Sequence, residues 1–193
     1  MKKVLTMLLV VVMGTGLCQA QNRVSNPGFE TGDFTDWFSG GSAMVIWGDN
    51  GPSAFGEYSA YMDNTPNGDT RSIAIAVTPG ETLTFGVDWK TTPDATGDVR
   101  AQVRWHTGQD AGRNAIGWIG ESNFLLGNTG GLWSVFSNNV AVIPGANYCD
   151  IRISANVFEP FTGSSLIDNV QLVPEPATLV LLSIGGLLLR KRS

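Results

Sequence analysis

The residues best suited to chemistry in this chain stand at alternate positions. In Leu83–Lys90 an apolar set, Leu83, Phe85, Val87 and Trp89, opposes Thr84, Gly86, Asp88 and Lys90. In Val99–His106 the apolar Val99, Ala101, Val103 and Trp105 oppose Arg100, Gln102, Arg104 and His106. In Cys149–Val157 the alternation sets Cys149, Ile151, Ile153, Ala155 and Val157 against Asp150, Arg152, Ser154 and Asn156. A period of two places each set on one face of a strand. If those strands are neighbours, Asp88, Lys90, Gln102, Arg104, His106, Arg152 and Asn156 share one hydrogen-bonding surface, suited to sugar hydroxyls. An ordinary solvated sheet face has the same pattern, so the alternation alone leaves both readings open. Sugar rings also ask for aromatic faces to stack on. Trp89, Trp105 and Trp133 read as core, which leaves Trp47, in Met44-Val45-Ile46-Trp47-Gly48-Asp49, and Trp118, in Ile116-Gly117-Trp118-Ile119-Gly120, as candidate ligand-binding aromatics.

Other chemistry finds little to work with. His106 is the one histidine in the chain, so neither a His-rich zinc site nor two imidazole roles can be assembled. No Gly-x-Ser-x-Gly elbow occurs, and Cys149 falls in an apolar alternation and reads as a small buried hydrophobe. Glycoside hydrolysis needs only two carboxylates about 5–10 Å apart, which an acidic chain can supply, but no clustered Glu-x-Asp-x-x-Glu pattern is present. The expectation is a protein that is not an enzyme. In a polysaccharide-processing alternative, Asp88, Arg104 and His106 are the first suspects.

The elements that hold these residues read as strands. Segments 73–77, 83–90, 99–106, 115–119, 133–137, 140–143, 148–157 and 165–172 carry strand signals, broken at Gly51-Pro52, Asn67-Gly68, Pro79-Gly80, Gly130-Gly131 and Pro144-Gly145. Eight short strands without a useful helix predict an all-β, two-sheet jelly-roll sandwich. Twenty-four glycines and 15% charged residues agree with a chain of strands and turns. From Gln21 to Val173 seven cations stand against sixteen acids, a balance of −9. Such a surface repels phosphate backbones, so nucleic-acid binding is excluded.

Both ends read as addresses. Residues 1–20 have the form of a secretory signal peptide: Lys2 and Lys3, the apolar run Val4–Met13, and small residues ending in Cys18-Gln19-Ala20. Cleavage after Ala20 leaves Cys149 as the one cysteine, so the exported domain relies on its core, helped or not by a metal. Residues 174–193 hold Pro174-Glu175-Pro176, the thirteen uncharged residues Ala177–Leu189, and Arg190-Lys191-Arg192. As a helix that run spans roughly 20 Å, a marginal transmembrane anchor unless the cations snorkel and the bilayer thins. The motif, apolar helix and basic cluster resemble the PEP-CTERM sorting signal of Gram-negative bacteria. The resemblance implies export, transient anchoring in the inner membrane, processing by an exosortase near Pro174, Glu175 and Pro176, and a place at the cell surface or in the extracellular polysaccharide matrix.

The segment 21–173 reads as one domain. Val24-Ser25-Asn26-Pro27-Gly28-Phe29-Glu30-Thr31-Gly32, then Trp37, Gly56–Ala60, Val77–Glu81, Trp133, Pro144-Gly145-Ala146 and Ile167–Leu172 follow one another in an order that resembles the jelly-roll carbohydrate-binding modules of bacterial xylanases and cellulases. The resemblance implies a galactose-binding-like β-sandwich, a polysaccharide partner, Trp37 as a packing aromatic, and a structural calcium held by Glu30 of the opening and Asp168 of the last strand. Carbonyls near Gly56–Tyr58 would complete six to eight oxygens. In the plainer alternative Glu30 and Asp168 only accept backbone amides. Asp63–Asp69 lacks the spacing of an EF-hand and reads as a turn. The expectation is an exported polysaccharide-binding protein, with a structural or protein-binding matrix component as the alternative.

Overall fold

The computed structural model describes residues 20–49, 56–63, 68–155 and 162–175. The signal and sorting segments, apart from Ala20, Pro174 and Glu175, lie outside them, as do Asn156 and most of the Asp63–Asp69 turn. Eleven strands form among the described residues: β1 Trp37–Gly40, β2 Met44–Trp47, β3 Tyr58–Asp63, β4 Asp69–Ser72, β5 Ile75–Ala76, β6 Thr82–Thr91, β7 Val99–Gln109, β8 Ala115–Leu126, β9 Ser134–Ala141, β10 Tyr148–Ser154 and β11 Ser164–Pro174. No helix occurs among the described residues, and so none there is long and apolar enough to cross a membrane.

Pairing is antiparallel throughout. One sheet runs β1-β4-β10-β7-β8 with β5 beside β10, and the other runs β2-β3-β11-β6-β9. The alternating apolar sets meet between them: Leu83, Phe85 and Val87 of β6 face Val99, Ala101, Val103 and Trp105 of β7 and Cys149, Ile151 and Ile153 of β10, all buried in one core. Each fully buried side chain of this size contributes about 1.5–3 kcal/mol, so the two sheets bind face to face through these strands. At the open end Phe85 of β6, Phe124 of β8 and Phe136 of β9 pack with centroids 5.1–6.0 Å apart, which joins the edge strands of the two sheets.

Several expectations shift. Segment 73–77 shrinks to the two-residue β5, with β4 ending just before it at Ser72, and 133–137 with 140–143 merges into the single strand β9. Strand β8 continues seven residues past Ile119, and β10 stops at Ser154. Trp89 is half-buried against the core with Nε1 on the Gly127 carbonyl at 2.9 Å. Trp133 does not belong to the core: it is half-buried on the rim with its Nε1 donating to Asp49 at 3.0 Å.

Candidate binding face

The outer face of the β4-β10-β7-β8 surface is built by register. Arg71 of β4 lies beside Arg152 of β10, which lies beside Gln102 of β7 and then Asn123 of β8. The next row is Asp150, Arg104 and Glu121, and the third is Tyr148, His106 and Trp118. Three of the expected ligand-binding residues, Gln102, Arg104 and His106, thus alternate along β7, and Arg152 joins them from β10. Asp88 and Lys90 do not. They sit on β6, in the other sheet, where Asp88 is buried opposite Asp168 and Lys90 bonds both carboxylate oxygens of Asp49 at 2.7 and 3.0 Å. The shared polar surface therefore splits between the two outer faces, because alternation fixes which side of a strand a residue takes but not which sheet the strand joins. The enzyme suspects divide with it: Asp88 stands on the opposite outer face from Arg104 and His106, and the carboxylate beside His106 is Asp150.

Asp150 organises the centre of the face. It is 1% exposed and receives both arms of the Arg104 guanidinium at 2.7 Å. Burial would push its carboxyl up, yet His106 and the Arg104 fork beside it outweigh that and hold it below the usual carboxylate range. His106 Nε2 stands 3.6 Å from Asp150 Oδ2. Both ring nitrogens of His106 and the Oε1 of Gln102 are buried without a protein partner, while Gln102 Nε2 donates to Asn123 at 2.8 Å. Unpaired polar atoms in such a place cost about 1–3 kcal/mol each. Arg152 Nε donates to Asp69 Oδ2 at 2.8 Å.

A β-bulge decides where Trp118 points. Trp105 pairs with Gly120 but His106 with Trp118, so Ile119 is the extra residue. Without it Trp118 would oppose Thr107 and share the inward face of Trp105, since one residue of slip exchanges the faces. Gly117, at φ 71°, supplies the left-handed turn the bulge needs. Trp118 is 61% exposed, across from His106, with half-buried Tyr148 on the far side of that histidine. Trp47 is 69% exposed but belongs to β2 of the other sheet, with Nε1 on Glu57 at 2.8 Å. Tyr148, Asp150 and Arg71 were not singled out in the sequence; for the first two, the polar half of the β10 alternation was the available signal.

The opening of the domain forms a hook over β11. Pro27 accepts the Val170 amide at 2.8 Å, and Asn22 takes the Leu172 amide at 2.9 Å and donates to the Val170 carbonyl at 3.0 Å. Glu30 accepts the amides of Glu57 at 3.0 Å and Tyr58 at 3.3 Å. A methyl group on Gly28 would sit 3.2 Å from Asp168 Oδ1 and 3.4 Å from Glu30 Oε1, so the two carboxylates flank one small cradle. Asp168 is fully buried, its Oδ1 accepting the Asn169 amide at 2.6 Å. No group of three or more His, Cys, Asp or Glu able to hold a metal exists among the described residues. This cradle suits calcium only if carbonyls and water supply most of the oxygens.

No protein-family model matches the chain, and no curated protein matches it. Solved structures do. The module TmCBM61, determined with beta-1,4-galactotriose, is 17% identical with a TM-score of 0.51 over 81% of this chain and 100% of its own. A family 16 carbohydrate-binding module is 16% identical, TM-score 0.57, over 79% and 99%. The enzymatically active domain of tailspike protein 4 from bacteriophage CBA120 is 17% identical, TM-score 0.60, over 80% of this chain, which spans only 21% of that one. A cyclase from Fischerella sp. TAU is 13% identical, TM-score 0.55, over 82% and 98%. At such identities the likeness is one of fold. The chain is an all-β two-sheet sandwich of the kind seen in carbohydrate-binding modules, a fold that also serves enzymes.

Proposed function

We propose that this is an exported, non-catalytic protein whose sandwich binds polysaccharide on the outer face of β4, β10, β7 and β8. The observation that carries the reading is the exposed Trp118, paired in register with His106 on the strand whose same face also carries Arg104 and Gln102. A stacking ring next to fixed hydrogen-bonding groups is what a sugar ring requires, and the ordered strands beneath reduce the entropy lost on binding. The resemblance to glycan-binding modules, both in the order of sequence pieces and in the fold, supports the same reading. Export and exosortase handling rest on the two end segments. Calcium in the hook would be held by Glu30 and Asp168 and would tie the opening of the domain to its closing strand.

Affinity electrophoresis of the full chain through soluble polysaccharides is the test. Retardation by at least one glycan, weakened about tenfold or more in a folded Trp118→Ala variant, is the expected result. Unchanged mobility in every glycan would remove the binding reading and leave a structural or protein-binding matrix component. The exposed Ile116, Ile119 and Leu125 along the edge strand β8 favour that second reading.

A further inference from the structure

Charge is unevenly distributed over this molecule. The outward positions of the sheet containing β7 carry Arg71, Arg100, Arg104 and Arg152 against Asp69, Asp150 and Glu121. The rest of segment 21–173 holds three cations and thirteen acids. With Asp110 standing near Arg71 just past the end of β7, this face is close to neutral on a strongly acidic domain. At physiological salt, charges beyond about 8 Å are largely screened, so a ligand lying on this face feels its arginines more than the distant acids.

The arginines differ in what they have left to give. Arg104 is committed to Asp150 and Arg152 to Asp69. Arg71 is not matched in this way: its Nε is 3.9 Å from Asp150 Oδ2, an oxygen already taken by Arg104 at 2.7 Å. Its Nη2 donates to Asn114 Oδ1 at 3.3 Å, and Asn114 in turn bonds Asp110. The guanidinium lies 4.8 Å over the Phe38 ring and its side chain is 33% exposed. A guanidinium held over a ring, with donors to spare, is prepared for a planar carboxylate.

We infer that the ligand is an acidic, uronate-containing polysaccharide, with Arg71 taking a sugar carboxylate while Trp118 stacks on a ring further along the same chain. This deepens the glycan-binding reading and depends on it. Arg71 and Trp118 are three strands and four residues apart, about 20 Å on the diagonal at about 4.8 Å per strand and 3.4 Å per residue. A ligand touching both is an oligomer rather than a single sugar.

The test uses the full chain with two matched probes, polygalacturonate and the neutral galactan made by reducing its carboxyl groups. Polygalacturonate is expected to bind at least tenfold more tightly than its reduced form and to weaken as salt rises, and Arg71→Gln is expected to abolish the preference. Equal or tighter binding of the reduced form, or retention by neutral glycans of the panel alone, overturns the charge inference and leaves glycan binding standing. If no glycan retains the folded protein, both readings fall together. The wild-type comparison needs no variant to fold.

Discussion

At the scale of single residues, the decisive group is Asp150. Its carboxylate is removed from water and holds the Arg104 fork in place. Breaking such a pair from one side leaves an uncompensated buried charge, at a cost of about 3–5 kcal/mol. Asp150→Asn is therefore expected to lower the unfolding free energy by about 3 kcal/mol in a urea titration. The acid dependence has a defined sign. Because the folded carboxyl titrates below its unfolded value, near 3.9, the stability it supplies is complete above that value and is lost as pH falls through the folded one. The gap between wild type and Asp150→Asn should hold from neutral pH to about pH 5 and begin to close below about pH 4; a gap constant down to pH 3 would mean that the interaction does not depend on the charge. The neighbouring Cys149 behaves in the opposite way: burial pushes its thiol up, so in a Cys18→Ser background it should resist alkylation until the protein unfolds. Its burial was legible from the sequence, since it falls in the apolar half of β10. The Asp150–Arg104 fork was not, because which polar residues of two strands meet depends on register.

At the scale of elements, the hairpin of β7 and β8 sets both the exposure of Trp118 and the limit of what could be read. The long central strands β6, β7, β10 and β11 announce themselves by alternation, since one side of each faces the core and the other does not. Strands β1, β2 and β3 gave no such signal: β1 and β2 have only four residues each and lie at sheet edges, and β3 has six. Sheet membership was equally hidden, and so Asp88 and Arg104 were grouped although they face away from each other across the sandwich. The bulge is a third kind of hidden information, one residue that turns Trp118 outward. It makes a prediction of its own. A Cβ on Gly117 would lie 2.2 Å from Thr107 Oγ1, at a φ of 71°, and the left-handed backbone itself costs a side chain about 1–2 kcal/mol. Gly117→Ala should therefore lower stability by at least that amount and weaken glycan binding as Trp118→Ala does. Gly80→Ala, also at positive φ but with nothing within 4 Å of its Cβ, is the control, expected to lose stability without losing affinity.

At the scale of the whole molecule, the sandwich is closed by its two ends. Asn22, Arg23 and Pro27 bond to the stretch of β11 between Val170 and Leu172, and Glu175 continues the sheet by donating its amide to Thr82 at 3.1 Å. Glu30 reaches across to Glu57 and Tyr58, while Gly56 gives it room: a Cβ there would fall 1.8 Å from the Glu30 carboxylate carbon. Phe29 holds φ 58° while fully buried against Trp37, a strained backbone that the surrounding contacts must maintain. The opening hook thus concentrates both strain and carboxylate charge, and a bound cation would relieve the second while enforcing the first. A calcium ion present at about a hundred times its dissociation constant stabilises the folded state by about 2.7 kcal/mol, which in a domain of this size raises the melting temperature by about 5–10 °C. The expected result is a rise of that order when calcium is added to chelator-treated protein, absent in Glu30→Gln and reproduced by no comparable concentration of magnesium, whose stricter octahedral geometry suits carbonyl-rich sites poorly. A melting temperature indifferent to calcium and chelator would show that Glu30 and Asp168 serve as acceptors for backbone amides and nothing more. The hook would then be held by hydrogen bonds alone, and Gly56→Ala, which displaces the Glu30 carboxylate, should still destabilise it.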